Sequence, residues 1–351
     1  MVPKTQTLIV ETDSLYLESL IMDDKVVLKF RMPNSKPYLV RKIFFKTSPC
    51  SVMKRYLCYI FIGFGAACTP KNSNDELFRI GSPLGVNRNE RLEEASGLAA
   101  SVRYPGFFWA HNDSGHPAEL FLLDSTAQTR RVFTLSKIKN RDWEDITIGP
   151  GPIEGVSYLY LGDIGDNLER HRYKYIYRLQ EPDPEQPNEV LDFDTLVVRL
   201  SDAIRDTEAL MIDPSSKKLY LISKREENVG LYEIESPFLR DTVTANRIAS
   251  LPVKQIVAAD ISRDGNEILL KNYDHIYYWK RNNSENLGAL LQTSPIKLPY
   301  ERESMGEAIC WSTDGTGFYT LGENSKGERA QLLFYARNKS DSGTLKAKPV
   351  L

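Results

Sequence analysis

Ala95-Ser96-Gly97-Leu98, Trp143-Glu144-Asp145-Ile146, Thr207-Glu208-Ala209-Leu210, Ala258-Ala259-Asp260-Ile261 and Gly306-Glu307-Ala308-Ile309 are five versions of one short phrase. With Ser96, Glu144, Glu208, Ala259 and Glu307 taken as equivalent, the intervals are 48, 64, 51 and 48 residues. A second apolar run follows each phrase, at 106–110, 158–162, 219–223, 267–271 and 317–322. A third follows at 118–123, 173–179, 230–235, 275–280 and 331–337, and a fourth is visible at 131–135, 195–200 and 245–251. Asp213-Pro214-Ser215, Asp264-Gly265 and Asp314-Gly315 stand between first and second runs, where a hairpin needs turn formers. Four antiparallel strands repeated about every 45 residues predict an all-β fold, a five-bladed β-propeller over residues 77–337.

A sixth blade is the runner-up, because the interval of 64 residues is long enough to hide one. Only four strands are legible between Ile146 and Leu200, and Glu181-Pro182-Asp183-Pro184 is too rich in proline for another. The last repeat stops at its third strand, so an N-terminal strand at 77–81 is expected to complete it and close the ring.

The chain has 351 residues, 41% hydrophobic and 26% charged, with net charge −2. That is ordinary globular composition, and without a block of like charge it predicts no nucleic-acid polymer as partner. Its 18 Tyr and 14 Phe suit pleated, half-buried surfaces. A closed propeller needs no second copy to complete it, so a monomer is expected.

Residues 53–67 read as a secretory signal: Lys54 and Arg55, then twelve apolar residues ending in small ones. Twelve is short of the ~20 that span a bilayer. Gly65-Ala66-Ala67-Cys68 resembles a bacterial lipobox, with Gly65 where Leu is usual, and implies a lipid on Cys68 as membrane anchor. Thr69 after the cysteine, by the same resemblance, favours the outer membrane of the cell envelope. Residues 1–52 are then expected to be a non-native upstream extension with Met53 as the true start, 68–76 a tether and 338–351 a tail. Cleavage before Cys68 leaves Cys310 as the one other cysteine, hence no intrachain disulfide.

The first strand of each propeller blade lines the central channel, so the phrase aims Ser96, Glu144, Glu208, Ala259 and Glu307 at one axis. Converging carboxylates repel. Either a cation sits among them, and hard oxygen donors favour Ca²⁺ over Mg²⁺, or water fills the channel. A second ring comes from the ends of the second strands: His111-Asn112-Asp113-Ser114-Gly115, Asp163-Ile164-Gly165-Asp166-Asn167, Lys224-Arg225-Glu226, Lys271-Asn272 and Glu323-Asn324. Asn112-Asp113-Ser114-Gly115 and Asp166-Asn167 are also ordinary turn formers, yet turns alone do not call for Lys224, Arg225 and Lys271. His116 and His171 lack partners at metal spacing, and Glu144 and Asp145, being adjacent, are expected to face opposite ways.

The inner ring resembles that of the calcium-activated nucleotidases, five-bladed apyrases whose order is Ser, Glu, Glu, Ser, Glu; Ala259 departs from it. Asn112-Asp113-Ser114-Gly115, Lys224-Arg225 and Lys271 are similar to that family's acidic turn, basic pair and fourth-blade lysine. The resemblance implies a central Ca²⁺ and hydrolysis of a phosphoanhydride or phosphoester, with Asp113 or Asp163 handling the water and Lys224, Arg225 and Lys271 neutralising phosphate charge. Asp142-Trp143-Glu144-Asp145-Ile146 and the Gly162–Asn167 phrase also look like those of bacterial secreted propeller lipoproteins. The competing expectation is a non-enzymatic module holding a glycan, peptide or envelope protein at the channel mouth.

Overall fold

A computed structural model describes residues 6–12, 15–22, 25–31, 43–46 and 77–338, apart from 191, 239–241, 283–284 and 326. Cys68, the signal at 53–67, the tether and all but the first residue of the tail lie outside the described residues. No helix among the described residues is long and apolar enough to cross a membrane. Contacts divide the chain into two units, residues 1–72 and 73–351.

In the first unit β1 (Gln6–Thr12), β2 (Leu15–Met22), β3 (Lys25–Arg31) and β4 (Ile43–Lys46) form an antiparallel meander in chain order. The second unit is an all-β propeller. After β5 (Ser82–Val86), its first blade is β6 (Ala95–Ala100), β7 (Phe107–Asn112), β8 (Glu119–Asp124) and β9 (Thr129–Leu135). The second is β10 (Trp143–Pro150), β11 (Ser157–Asp163), β12 (Lys174–Gln180) and β14 (Asp194–Leu200), with the two-residue β13 (Glu189–Val190) between the last two. The third is β15 (Thr207–Ile212), β16 (Leu219–Ser223), β17 (Gly230–Ile234) and β18 (Thr242–Ser250). The fourth is β19 (Ala258–Ile261), β20 (Glu267–Lys271), β21 (Ile276–Lys280) and β22 (Ile296–Leu298), with helix α1 (Leu287–Leu291) before its last strand. The fifth, β23 (Ala308–Trp311), β24 (Gly317–Leu321) and β25 (Gln331–Ala336), takes β5 as its outer strand.

Each sheet is sandwiched between its neighbours, so both faces are buried and the strands read as near-continuous apolar runs. Leu120-Phe121-Leu122-Leu123 shows this: Leu120 and Leu122 pack toward the second blade, Phe121 and Leu123 toward the fifth. Burying one such side chain contributes on the order of 1.5–3 kcal/mol. Every junction between successive sheets holds its own apolar cluster, including the one from fifth back to first, and that closes the ring.

The closing strand is not 77–81 but β5, five residues later. Phe78 is fully buried among Tyr278, Trp311 and Phe318, which uses that segment as a core plug with a single bridge to Arg337. Pro83 is tolerated in β5 because it lies at a sheet edge. A Cβ on Gly85 would overlap the Thr126 backbone, which restricts that position to glycine.

The long second interval hides no further blade among the described residues. Its extra chain is anchored by Glu181, whose buried carboxylate accepts from Trp109 Nε1 at 3.0 Å, Ser157 Oγ at 2.6 Å, the Arg103 amide at 3.1 Å and the Ser101 hydroxyl. The same segment adds β13 in parallel to β9, and β14 pairs in parallel with β18, so neighbouring blades are also stitched at the rim.

Candidate functional site

Three of the five inner strands carry a β-bulge at the same place. Ala95 pairs with Asn112 and Gly97 with His111, leaving Ser96 as the extra residue. Glu144 is extra between the pairs Trp143–Asp163 and Asp145–Gly162, and Glu208 between Thr207–Ser223 and Ala209–Ile222. A bulge re-aims its side chains, at the local cost of ladder pairing. The fourth blade has none: Ala259 sits in the ladder opposite Leu270, and its amide donates to Asp145 Oδ2 at 3.3 Å.

The bulge overturns the expected alternation of Glu144 and Asp145. Both reach the axis, at different depths. Asp145, fully buried, accepts from the amides of Ile146 at 2.8 Å, Leu210 at 2.9 Å and Ala259, joining inner strands of three blades. Asp260 does the same on a smaller scale, accepting from Ile261 at 2.9 Å and Trp311 at 2.8 Å. These carboxyl groups, with buried Cys310, plug the middle of the channel.

Above the plug lies an acidic mouth. One carboxylate oxygen each from Asp113, Asp142 and Glu144 lie within 4.8 Å of one another, and so do one each from Glu144, Asp206 and Glu208. Glu144 belongs to both groups and is 3% exposed. Lys224 Nζ is 2.9 Å from Glu208 and 5.5 Å from the centre of the Tyr273 ring. Arg225 Nε donates to Asp206 at 2.6 Å, and the Asp166 amide donates to the other Asp206 oxygen at 2.8 Å.

Burial, then the charges of Glu208, Asp113 and Asp142, pushes the Glu144 pKa well above the carboxylate range. Burial raises Glu208 to about 7 against the pull of Lys224. Burial likewise raises Asp113 to about 6, and burial with the Glu307 charge raises Glu323 to about 8. Burial lowers the Lys224 pKa less than Glu208 and its other acidic neighbours raise it, so its net shift is upward.

A pH dependence follows. The unfolded acids titrate near 4 and the folded ones between about 6 and 8, so across this window the native protein binds more protons. Without a bound cation, stability is therefore expected to fall as pH rises from about 4 to about 8. The loss is on the order of a few kcal/mol, carried mainly by Glu144, Glu208 and Asp113, with the more solvated Glu323 discounted. Urea midpoints measured across that range in chelator check it; a flat or rising profile would contradict the arrangement.

Of the residues singled out in the sequence, Asp113, Glu144, Glu208 and Lys224 come together, and Arg225 joins them through Asp206. Ser96 lies alongside, its hydroxyl donating to the Glu144 carbonyl at 2.6 Å. Glu307 accepts a hydrogen bond from the Tyr273 hydroxyl and pairs with Glu323. Asp163 stands beside the cluster, not in it. It is 1% exposed, 3.3 Å from Arg141, and accepts from the Asp142 amide at 3.2 Å and the Tyr177 hydroxyl at 3.3 Å. Lys271 is fully buried 3.8 Å from Glu303 and donates to the Gly306 carbonyl, which fixes the backbone leading to Glu307.

Asp142 and Asp206 were missed as site residues. Their signal is the repeated Asp-x-Glu of Asp142-Trp143-Glu144 and Asp206-Thr207-Glu208, which places one acid just before the bulge and one on it.

No family model matches the chain, and no curated protein matches it. Solved structures do. The PQQ-bound aldose sugar dehydrogenase from Streptomyces coelicolor is 10% identical, covering 74% of this chain and 97% of its own, with TM-score 0.46. The Dos1 propeller is 10% identical over 92% of this chain and 76% of its own, with TM-score 0.35. A gluconolactonase from Xanthomonas campestris is 10% identical over 72% and 88%, with TM-score 0.41. At this identity none of them assigns an activity to the chain.

Proposed function

We propose that the acidic mouth holds a divalent cation, Ca²⁺ by preference, and that the protein is a cation-dependent hydrolase of phosphoanhydrides or phosphoesters. The observation that carries this is Glu144: a carboxylate 3% exposed whose charged neighbours are three more carboxylates. Lys224 and Arg225 are each engaged by one acid of the cluster, and among the described residues no ion pair reaches Glu144 or Asp113, while Asp142 feels the charges of Lys174 and Arg141. Desolvated like charges call for a counter-ion or for protons.

The donor set fits. Glu144, Glu208, Asp113, Asp142 and Asp206 offer hard oxygens, and Gly165 leaves room for them, since a Cβ there would overlap the Glu144 and Asp142 carboxylates. The cation, when bound, supplies Lewis-acid polarisation of a phosphate oxygen. The remaining work falls to side chains. Lys224 and Arg225 neutralise negative charge growing on the phosphate. Asp113, at the edge of the cluster, accepts a proton from the attacking water. Asp163, through Arg141 and the Asp142 amide, orients Asp142.

Phosphate release from ADP with Ca²⁺ is the test. Asp113→Asn is expected to lower kcat roughly a hundredfold or more with the fold intact. Lys224→Met is expected to lower kcat/KM by a similar factor. Ca²⁺ binding without hydrolysis of any nucleotide or phosphoester would favour the second reading, a binding module whose ion only organises the mouth. An anchor on Cys68 in the outer membrane would place either activity in the cell envelope, and expression of 68–351 beside the whole chain with intact mass tests it.

A further inference from the structure

The opposite end of the channel has a different chemistry. A cavity of about 280 Å³ opens there, lined by all five blades at the ends of their inner strands. Its walls include Ile148, Ile212, Ile261 and Trp311, and two charged side chains share it, Asp260 and Arg263. The plug formed by Asp145 and its partners separates it from the acidic mouth.

Asp260 and Arg263 are not a pair with each other. Asp260 spends its two oxygens on the amides of Ile261 and Trp311, and no cation balances it among the described residues. Burial raises its pKa to about 7, as expected of a carboxyl group whose charge nothing local offsets. Arg263, in the turn two residues beyond β19, is exposed and has no carboxylate partner among the described residues. The cavity therefore presents an acceptor for positive charge on the strand, a donor for negative charge in the turn, and aliphatic and aromatic walls. Its volume falls just under the roughly 300–1,000 Å³ of sites that take drug-sized molecules, which limits the occupant to something smaller.

We infer that this second mouth binds a small zwitterion with an apolar side chain, a free amino acid such as leucine, with Asp260 receiving the ammonium, Arg263 the carboxylate, and Ile148, Ile212 and Trp311 the side chain. The assignment is independent of the acidic mouth and its cation. Charge-assisted hydrogen bonds to the ammonium and the carboxylate on the ligand's Cα supply orientation, and the apolar walls supply burial.

Calorimetric titration of the 351-residue chain with L-leucine tests it, beside two compounds with the same carbon skeleton: isopentylamine, which lacks the carboxylate, and 4-methylpentanoate, which lacks the ammonium. Leucine is expected to saturate one site, with each analogue at least roughly tenfold weaker, the loss expected for one charged hydrogen bond. Asp260→Asn and Arg263→Gln should each weaken leucine by a similar factor. Asp260 also braces two backbone amides, so its variant can fail to fold. Arg263→Gln, at an exposed position, and Ile212→Trp, which fills the cavity without altering charge, keep the test open. Ile212→Trp should abolish binding. Absence of saturable leucine binding, equal binding of isopentylamine, or binding indifferent to both Arg263→Gln and Ile212→Trp would overturn the inference.

Discussion

Asp145→Ala is expected to lower the unfolding free energy by about 3–5 kcal/mol, read as a fall in the urea midpoint with an unchanged slope. The Asp145 side chain receives the amides of Ile146, Leu210 and Ala259, so its removal leaves buried donors on three inner strands without acceptors. Each such orphan costs about 1–3 kcal/mol, partly offset because a desolvated carboxyl group, itself pushed far above its usual pKa, also disappears. Asp145→Asn keeps one acceptor oxygen and should lose about half as much. The ordering of the two variants is the informative result. If alanine proved milder than asparagine, the carboxyl group would be a burden the ring tolerates and not the brace of three blades.

Calcium is expected to raise stability by about 2.7 kcal/mol at one hundred times its dissociation constant, a shift of several degrees in Tm for a domain of this size. Magnesium should give less, because it demands tighter octahedral geometry. Glu144→Gln should abolish the shift while leaving the metal-free protein as stable or more so, since the substitution removes a desolvated carboxyl group set among Glu208, Asp113 and Asp142. Gly165→Ala should act by crowding: its methyl group displaces the Glu144 and Asp142 carboxylate ends, which can swing aside, so stability changes little and calcium affinity falls at least roughly tenfold. Differential scanning fluorimetry of protein shown to be free of metal measures all three. No shift with any divalent ion would leave the cluster held by shared protons and remove the cation-dependent hydrolase with it.

Stability and site chemistry thus share one stretch of chain. Glu144 and Asp145 are neighbours, yet one serves the mouth and the other braces the plug. Below the plug the channel changes from converging acids to an apolar cavity with one acid and one arginine, so a single ring of inner strands has two mouths of opposite character.

The repeats were legible in the sequence because each blade meets the same demands at the same places. An inner strand buried on both faces must be apolar, and its turn to the second strand must carry Asp, Gly or Pro. That is why the five phrases and the Asp213, Asp264 and Asp314 turns locate the blades. The outer strands were less readable, because they contact fewer neighbours and tolerate more. β5 contains a proline and a glycine, β22 has three residues, and the more apolar segment around Phe78 turned out to be core filling and not a strand.

Sequence alone determined the all-β class and the repeat, since these follow from periodicity. Tertiary structure decided what periodicity cannot express. A bulge adds one residue without changing the pattern on either side, so alternation gave the wrong facing for Asp145, and the equivalence of Ser96, Glu144 and Glu208 gave no sign that each is an extra residue in its strand. Ion pairing is likewise decided in three dimensions: Lys271 is the last residue of β20 and Lys224 stands one residue past the end of β16, and one is buried against Glu303 while the other meets Glu208 at the mouth. Which charge finds which partner depends on the loops that close over each blade, and those loops are the part of the chain that does not repeat.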